Sequence, residues 1–324
     1  MQTDGRSINP GLAIIFPGQG SQSVGMLSAL AESYSHVGET FEEASDALGY
    51  DLWQLTQQGP EESLNQTDKT QPALLTASVA IWKIWESQCS LAPGYLAGHS
   101  LGEYSALVCS GSLDFVTAVK LVEQRGLFMQ QAVPAGKGAM AAILGLEDAQ
   151  VSKLCQQVAE GQVLTPANFN SPGQVVIAGE AEAVDRVLVP AKEAGARKVV
   201  PLAVSVPSHC ALMRPAADQL EQQVANIVLN KPGTPVINNA DVLMPKDAES
   251  IKSALLRQLY SSVRWTETIQ KLTEEGVSCV IECGPSKVLT GLNRRIDKSI
   301  HAGFMNDPAS LDKTLKLCEE CYAG

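Results

Sequence analysis

Tyr95-Leu96-Ala97-Gly98-His99-Ser100-Leu101-Gly102, running on through residues 103–109, is the stretch that decides the fold class. The short run 95–97 reads as a strand and residues 101–109 read as a helix, with a tight glycine-flanked turn between them. Strand, turn and helix in that order are the ingredients of an α/β layer fold. The turn itself fits G-x-S-x-G, the nucleophile elbow, which requires this strand-to-helix setting. A serine there must occupy a sharply turned backbone position, and glycines two residues either side leave room for the chain to fold over itself. The helix that follows aims its first amides, beginning at Leu101, at any oxyanion formed on a substrate. The five-letter pattern also fits an ordinary turn with a serine cap, so more is needed.

Outward from this point the pattern repeats. Residues 12–16 read as a strand ended by Pro17-Gly18, and helical patterns follow at 24–34, 37–48 and 71–88. The middle of the chain has a different rhythm: strand 139–144, helix 147–158, strands 163–168 and 174–179 about a Ser171-Pro172-Gly173 turn, helix 181–194 and strand 198–206. That is β-α-β-β-α-β, the split unit of a ferredoxin-like subdomain. It interrupts a larger α/β core that resumes with a helix near 211–228, a strand at 235–238, helices near 248–260 and 265–275 and a strand at 277–282. The expected division is a core of 11–132 and 207–324 carrying an inserted subdomain at 133–206.

Composition limits the function. Of 324 residues, 45% are hydrophobic and 18% charged, the profile of a packed globular enzyme. A net charge of −11 argues against nucleic acid and against anionic membrane surfaces as partners. No apolar run approaches the ~18 residues of a membrane span, and the first ten residues lack a signal-peptide pattern, so a cytoplasmic location is expected. Eight cysteines do not make a disulfide framework at this length. The lone C-x-x-C at Cys318 and Cys321 lacks the two further ligands zinc needs, so buried free thiols and no metal site are expected.

A serine hydroxyl needs a base, and the chain holds four histidines: His36, His99, His209 and His301. His99 must leave the elbow in a different direction from Ser100. His209 follows the 198–206 strand at the mouth of a new helix, which makes it the candidate by elimination, with a capping or packing role as the alternative. Arg125 lies on the apolar stripe of a helix at 114–131, between Val122 and Met129. A buried guanidinium must find an anion. Position alone favours a structural Glu or Asp over a substrate carboxylate held in a bidentate fork. The loop Pro17–Gln22 resembles a phosphate loop but has Ser23 where a dinucleotide fingerprint needs glycine, and Met26 where a Walker loop needs lysine. The backbone amide of Gln19 fits better as a second oxyanion donor opposite Leu101.

The chain resembles bacterial malonyl-coenzyme A:acyl carrier protein transacylases along nearly its whole length. The resemblance is carried by FPGQGSQ from Phe16, GHSLGEYSAL from Gly98, QRG from Gln124 and NFNSPGQVVIAG from Asn168. VPSH from Val206, QLYSSVRW from Gln258 and ECGP from Glu282 complete it. It implies an α/β-hydrolase-like core with a ferredoxin-like insertion, Ser100 as nucleophile, His209 as base and oxyanion amides at Gln19 and Leu101. It further implies Arg125 on the malonyl carboxylate, Asn170 in the pocket lining, and a backbone carbonyl at Gln258 in place of the usual aspartate. The expected partners are malonyl-CoA and acyl carrier protein, with no metal or redox cofactor and a monomeric chain. An acidic carrier meeting an acidic enzyme calls for a local basic patch, for which Arg186, Lys192, Arg197, Lys198, Arg294 and Arg295 are candidates. An esterase or thioesterase is the rival enzyme, but its histidine usually comes late and after an acidic partner. A carrier-binding scaffold without chemistry is the other rival.

Overall fold

Residues 6–203 and 206–322 are described by a computed structural model. Its strands are β1 (Ser7–Phe16), β2 (Leu91–Gly98), β3 (Gly138–Leu144), β4 (Leu164–Ser171), β5 (Gln174–Glu180), β6 (Lys198–Pro201), β7 (Val236–Ile237), β8 (Cys279–Glu282) and β9 (His301–Phe304). Five of them form a parallel sheet in the order β7-β2-β1-β8-β9. The run Leu12–Phe16 is apolar without alternation because both faces of β1 are covered. Leu12, Ile14 and Phe16 enter one core cluster, whereas Ala13 and Ile15 enter another. Helix Thr67–Gln88 packs in the first cluster with helix Phe115–Ala132, burying Trp85 and Val122 completely.

The other four strands form an antiparallel sheet, β4-β5-β3-β6, the strand order of a ferredoxin-like unit. Alternation sets its two faces. Ala141, Ile143, Val175 and Ile177 pack beneath helices Asp148–Val158 and Ala181–Glu193. Met140, Val176 and Ala178 turn the other way, towards Cys210 of the core. Strand β4 is stitched to the core segment between helices Ala248–Tyr260 and Trp265–Glu274, where Phe169 N–H donates to the Val263 carbonyl (2.9 Å) and Val263 N–H to the Ala167 carbonyl (2.8 Å).

Two sequence expectations change. The strand expected over 198–206 stops at Pro201, and its positions Val204 and Ser205 lie outside the described residues. The helix expected from 211 begins as a short 3-10 turn, Ala211–Met213, before Arg214–Asn226 becomes α-helical with Pro215 in its first turn, the position proline tolerates.

What places the site is the register of the parallel sheet. Phe16 pairs with Gly98, and Leu96 and Ala97 pair with β7, so the chain leaves β1, β2 and β7 side by side at one edge. Ligands of such sheets bind beyond the carboxyl ends of the strands.

Candidate active site

Ser100 stands at that edge with φ of +53°, in the left-handed region that side chains other than glycine avoid. The glycines of the motif are required by contact. A Cβ on Gly98 would lie 1.9 Å from the Gly102 carbonyl carbon, and one on Gly102 would lie 2.1 Å from the Phe16 oxygen. Asn239, just past β7, clamps the turn from both sides: Ser100 N–H donates to its Oδ1 and its Nδ2 donates to the Gly98 carbonyl, each at 2.6 Å.

Of the four histidines, His209 is the one that meets the serine, with Nε2 2.8 Å from Ser100 Oγ. Helix Ala248–Tyr260 holds it. The last carbonyls of a helix have no partner within it, and here the Leu259 oxygen accepts His209 N–H (3.0 Å) while the Gln258 oxygen lies 2.8 Å from Nδ1. A carbonyl can only accept, so Nδ1 carries the proton and Nε2 is left to accept from Ser100 Oγ–H. Burial, reinforced by the charge of Arg125, lowers the His209 pKa to about 3. At neutral pH the imidazole is therefore an uncharged base. His99 does turn away from the serine: its Nε2 lies 2.9 Å from Asn170 Oδ1 and its ring lies against Trp265.

Arg125 is 1% exposed on helix Phe115–Ala132 and meets no carboxylate among the described residues. The structural Glu or Asp that position favoured is not its partner. Nη1 donates to Gln71 Oε1 (2.7 Å), Nη2 donates to Gln258 Oε1 (2.9 Å), and Nη2 also lies 3.4 Å from Ser100 Oγ. Its Nε has no acceptor among the described residues.

Gln19, Ser100, Leu101, Arg125, Asn170 and His209 all line one cleft of about 860 Å³. Met140 and Val176 of the antiparallel sheet close its far wall. Among the described residues, neither the Gln19 nor the Leu101 backbone N–H has a protein acceptor. Gly18 brings the two loops together, since a Cβ there would be 2.5 Å from the His99 carbonyl oxygen. The arrangement can deprotonate a hydroxyl, place two amides beside it and offer a fixed cation to an anionic group. Of the basic side chains considered for carrier docking, Arg186 donates to the carbonyls of Val158 and Ala159 and to Gln162, and Arg295 donates to Gln174.

Three residues of the site escaped the sequence reading. Glu103 carried a signal, being the one charged residue on the largely apolar helix Gly102–Cys109. Asn239 carried a weaker one, as a polar residue directly after a strand. Gln71 carried none.

A family model described as acyl transferase domain matches residues 13–305. The malonyl CoA-acyl carrier protein transacylase of Escherichia coli strain K12 is 58% identical over 305 residues, covering 94% of this chain and 99% of that protein. The crystal structure of an acyl carrier protein S-malonyltransferase from Vibrio cholerae superposes with a TM-score of 0.92 at 60% identity, covering 94% of this chain and 99% of that one. A malonyl-transacylase solved in complex with its type II PKS acyl-carrier protein gives 0.93 at 57% identity, with the same coverage. Fold and sequence together make the chain an acyltransferase. It belongs to the family of bacterial malonyl-CoA:acyl carrier protein transacylases.

Proposed function

We propose that this chain transfers the malonyl group of malonyl-CoA to the phosphopantetheine thiol of acyl carrier protein, by a ping-pong cycle through a malonyl ester of Ser100. The observation that carries the reading is Arg125, a buried guanidinium that meets no carboxylate among the described residues and lies 3.4 Å from the Ser100 hydroxyl. A cation so placed suits an acyl group that ends in a carboxylate.

In the first half-reaction His209 Nε2 takes the Ser100 proton as Oγ attacks the thioester carbon. The Gln19 and Leu101 amides receive the oxyanion, and the Gln258 carbonyl supports the imidazolium through Nδ1–H. The carbon–sulfur bond breaks, and His209 returns the proton to the sulfur of coenzyme A. In the second half the carrier thiol gives its proton to His209 and attacks the ester, and Ser100 recovers a proton as it leaves. Asn170 lines the pocket and steadies His99. The cycle calls for no metal or redox cofactor. We take the working unit to be a monomer in the cytoplasm, supplying fatty acid elongation.

Intact-mass spectrometry after incubation with malonyl-CoA, without acceptor, tests this directly. A malonyl-sized adduct is expected, weaker or absent with acetyl-CoA and lost in Ser100→Ala. Free malonate without an adduct would favour a hydrolase, and no reaction at all would refute the proposal.

A further inference from the structure

A charge buried as deeply as Arg125 is normally matched by an anion in contact with it. Here, among the described residues, its contacts are neutral: two amide oxygens, the Ser100 hydroxyl and the face of the Tyr104 ring; yet a carboxylate lies one residue further out. Glu103 is 2% exposed, and its Oε2 accepts from Gln258 Nε2 (2.7 Å) and from Asn239 N–H (2.9 Å). The Gln258 side chain is thus inserted between the two charges, its Oε1 towards Arg125 and its Nε2 towards Glu103. The same Nε2 also donates to the Ser100 carbonyl (3.0 Å).

Resting on the proposed malonyl transfer, we infer that Glu103 is a positioning residue that tunes carboxylate selectivity: it supplies the counter-charge of Arg125 through the Gln258 amide rather than by contact, and so leaves the guanidinium free for the carboxylate of an incoming acyl group. Direct contact would fill that position. Burial raises the pKa of the Glu103 carboxyl to about 7, so above that pH its charge, one amide away, makes burial of Arg125 tolerable and tempers its pull on the acyl carboxylate, and a malonyl group is held but not trapped. Removing the charge while keeping the hydrogen bonds therefore tightens binding of a donor that carries a carboxylate and leaves a donor without one unaffected. A purely structural role, holding the elbow through Asn239, predicts equal effects on both donors.

Glu103→Gln makes the distinction, because an amide oxygen can accept the same two bonds. In a Ser100→Ala background, which prevents turnover, dissociation constants for malonyl-CoA and acetyl-CoA are measured by calorimetry at pH 8.5. The acetyl-to-malonyl ratio is expected to rise roughly tenfold in Glu103→Gln, a fraction of what two unit charges in direct contact would give. Glu103→Asp keeps the charge and is expected to stay within about twofold of the parent ratio. An unchanged or lower ratio in Glu103→Gln overturns the inference, as does a tenfold change in Glu103→Asp, which also serves if the glutamine variant does not fold. A Ser100→Ala parent that shows no preference for malonyl-CoA would instead count against the proposed function.

Discussion

Replacing Arg125 by alanine should cost malonyl transfer far more than acetyl transfer. Arg125 is 1% exposed, so a carboxylate that reaches it has left water behind. Removing one partner of such a buried pair costs about 3–5 kcal/mol. At ~1.4 kcal/mol per decade that is roughly two to four orders of magnitude in kcat/KM for malonyl-CoA. The substitution also strips a donor from Gln71 Oε1 and from Gln258 Oε1, and each buried acceptor left unsatisfied costs about 1–3 kcal/mol of stability. Activity alone would therefore confuse a specific loss with partial unfolding. The ratio of malonyl to acetyl turnover within one preparation removes that ambiguity, since unfolded protein lowers both alike. Acetyl transfer should hold or rise, because Arg125 is a main cause of the lowered basicity of His209 after burial itself. The assay is the initial rate of acyl-carrier formation with each donor at matched folded concentration. If the two donors lose activity by the same factor, Arg125 is not the carboxylate reader, and the lack of a carboxylate in contact with it among the described residues has another cause.

Three further outcomes follow from the elbow and its base. Gly98→Ala and Gly102→Ala each push a Cβ to within about 2 Å of main-chain atoms, so thermal melts should show severe destabilisation or no folded protein; a native-like melting temperature in either would contradict so close a crossing of backbones. Ser100→Gly should melt above Ser100→Ala by about 1 kcal/mol, because only glycine adopts φ of +53° without strain. His209 has a folded pKa of about 3 against an ordinary 6.5, so between those values the unfolded chain binds the extra proton and stability falls as pH falls. Relative to His209→Gln, the parent should lose about 1.4 kcal/mol per pH unit below ~6.5, and a gap that stays constant from pH 7.5 to 4.5 would show that the imidazole is not held neutral.

How much of this could be read beforehand depended on whether a residue's role is local. The elbow is local: Gly98, Ser100 and Gly102 constrain one another within five positions, so the motif could be read with its mechanism. The β-α-β-β-α-β rhythm is also local, since each short strand and helix pattern from 139 to 206 can be read by itself, and their order gave the inserted subdomain. His209 could be nominated but not secured, because its value depends on the Gln258 and Leu259 carbonyls at the end of a helix some fifty residues away. Arg125 was legible as a buried cation on an apolar stripe, but not its partners. Gln71 and Gln258 come from two other helices, and no spacing rule links them to it. Asn239 reaches Ser100 because β7 pairs with β2; the strand itself was expected at 235–238, but no spacing rule ties the residue after it to an elbow 139 positions earlier. The helix Val288–Ile296 and strand β9 were missed for a related reason: their pattern is short, and tertiary packing rather than local preference decides it.

The site carries an internal opposition that bears on how selectivity works. The cation that suits a malonyl carboxylate also stands 3.4 Å from the nucleophile and holds down the proton affinity of the base beside it. Glu103 offsets that cation only from a distance, across Gln258. With the site empty, burial first and Arg125 second keep His209 a weak base, so on the proposed reading an acyl group that brings no charge meets a less activated Ser100. In the proposed cycle a malonyl carboxylate pairs with Arg125 and offsets its field at His209, which lifts the smaller, charge-borne part of the depression while the larger part, due to burial, stays. The acyl group's far end would then report its identity to the catalytic base through electrostatics, with no moving part. Discrimination against acetyl-CoA in such a site belongs to the rate of acylation as well as to binding, because the same ion pair that holds the correct substrate also releases the base that acts on it.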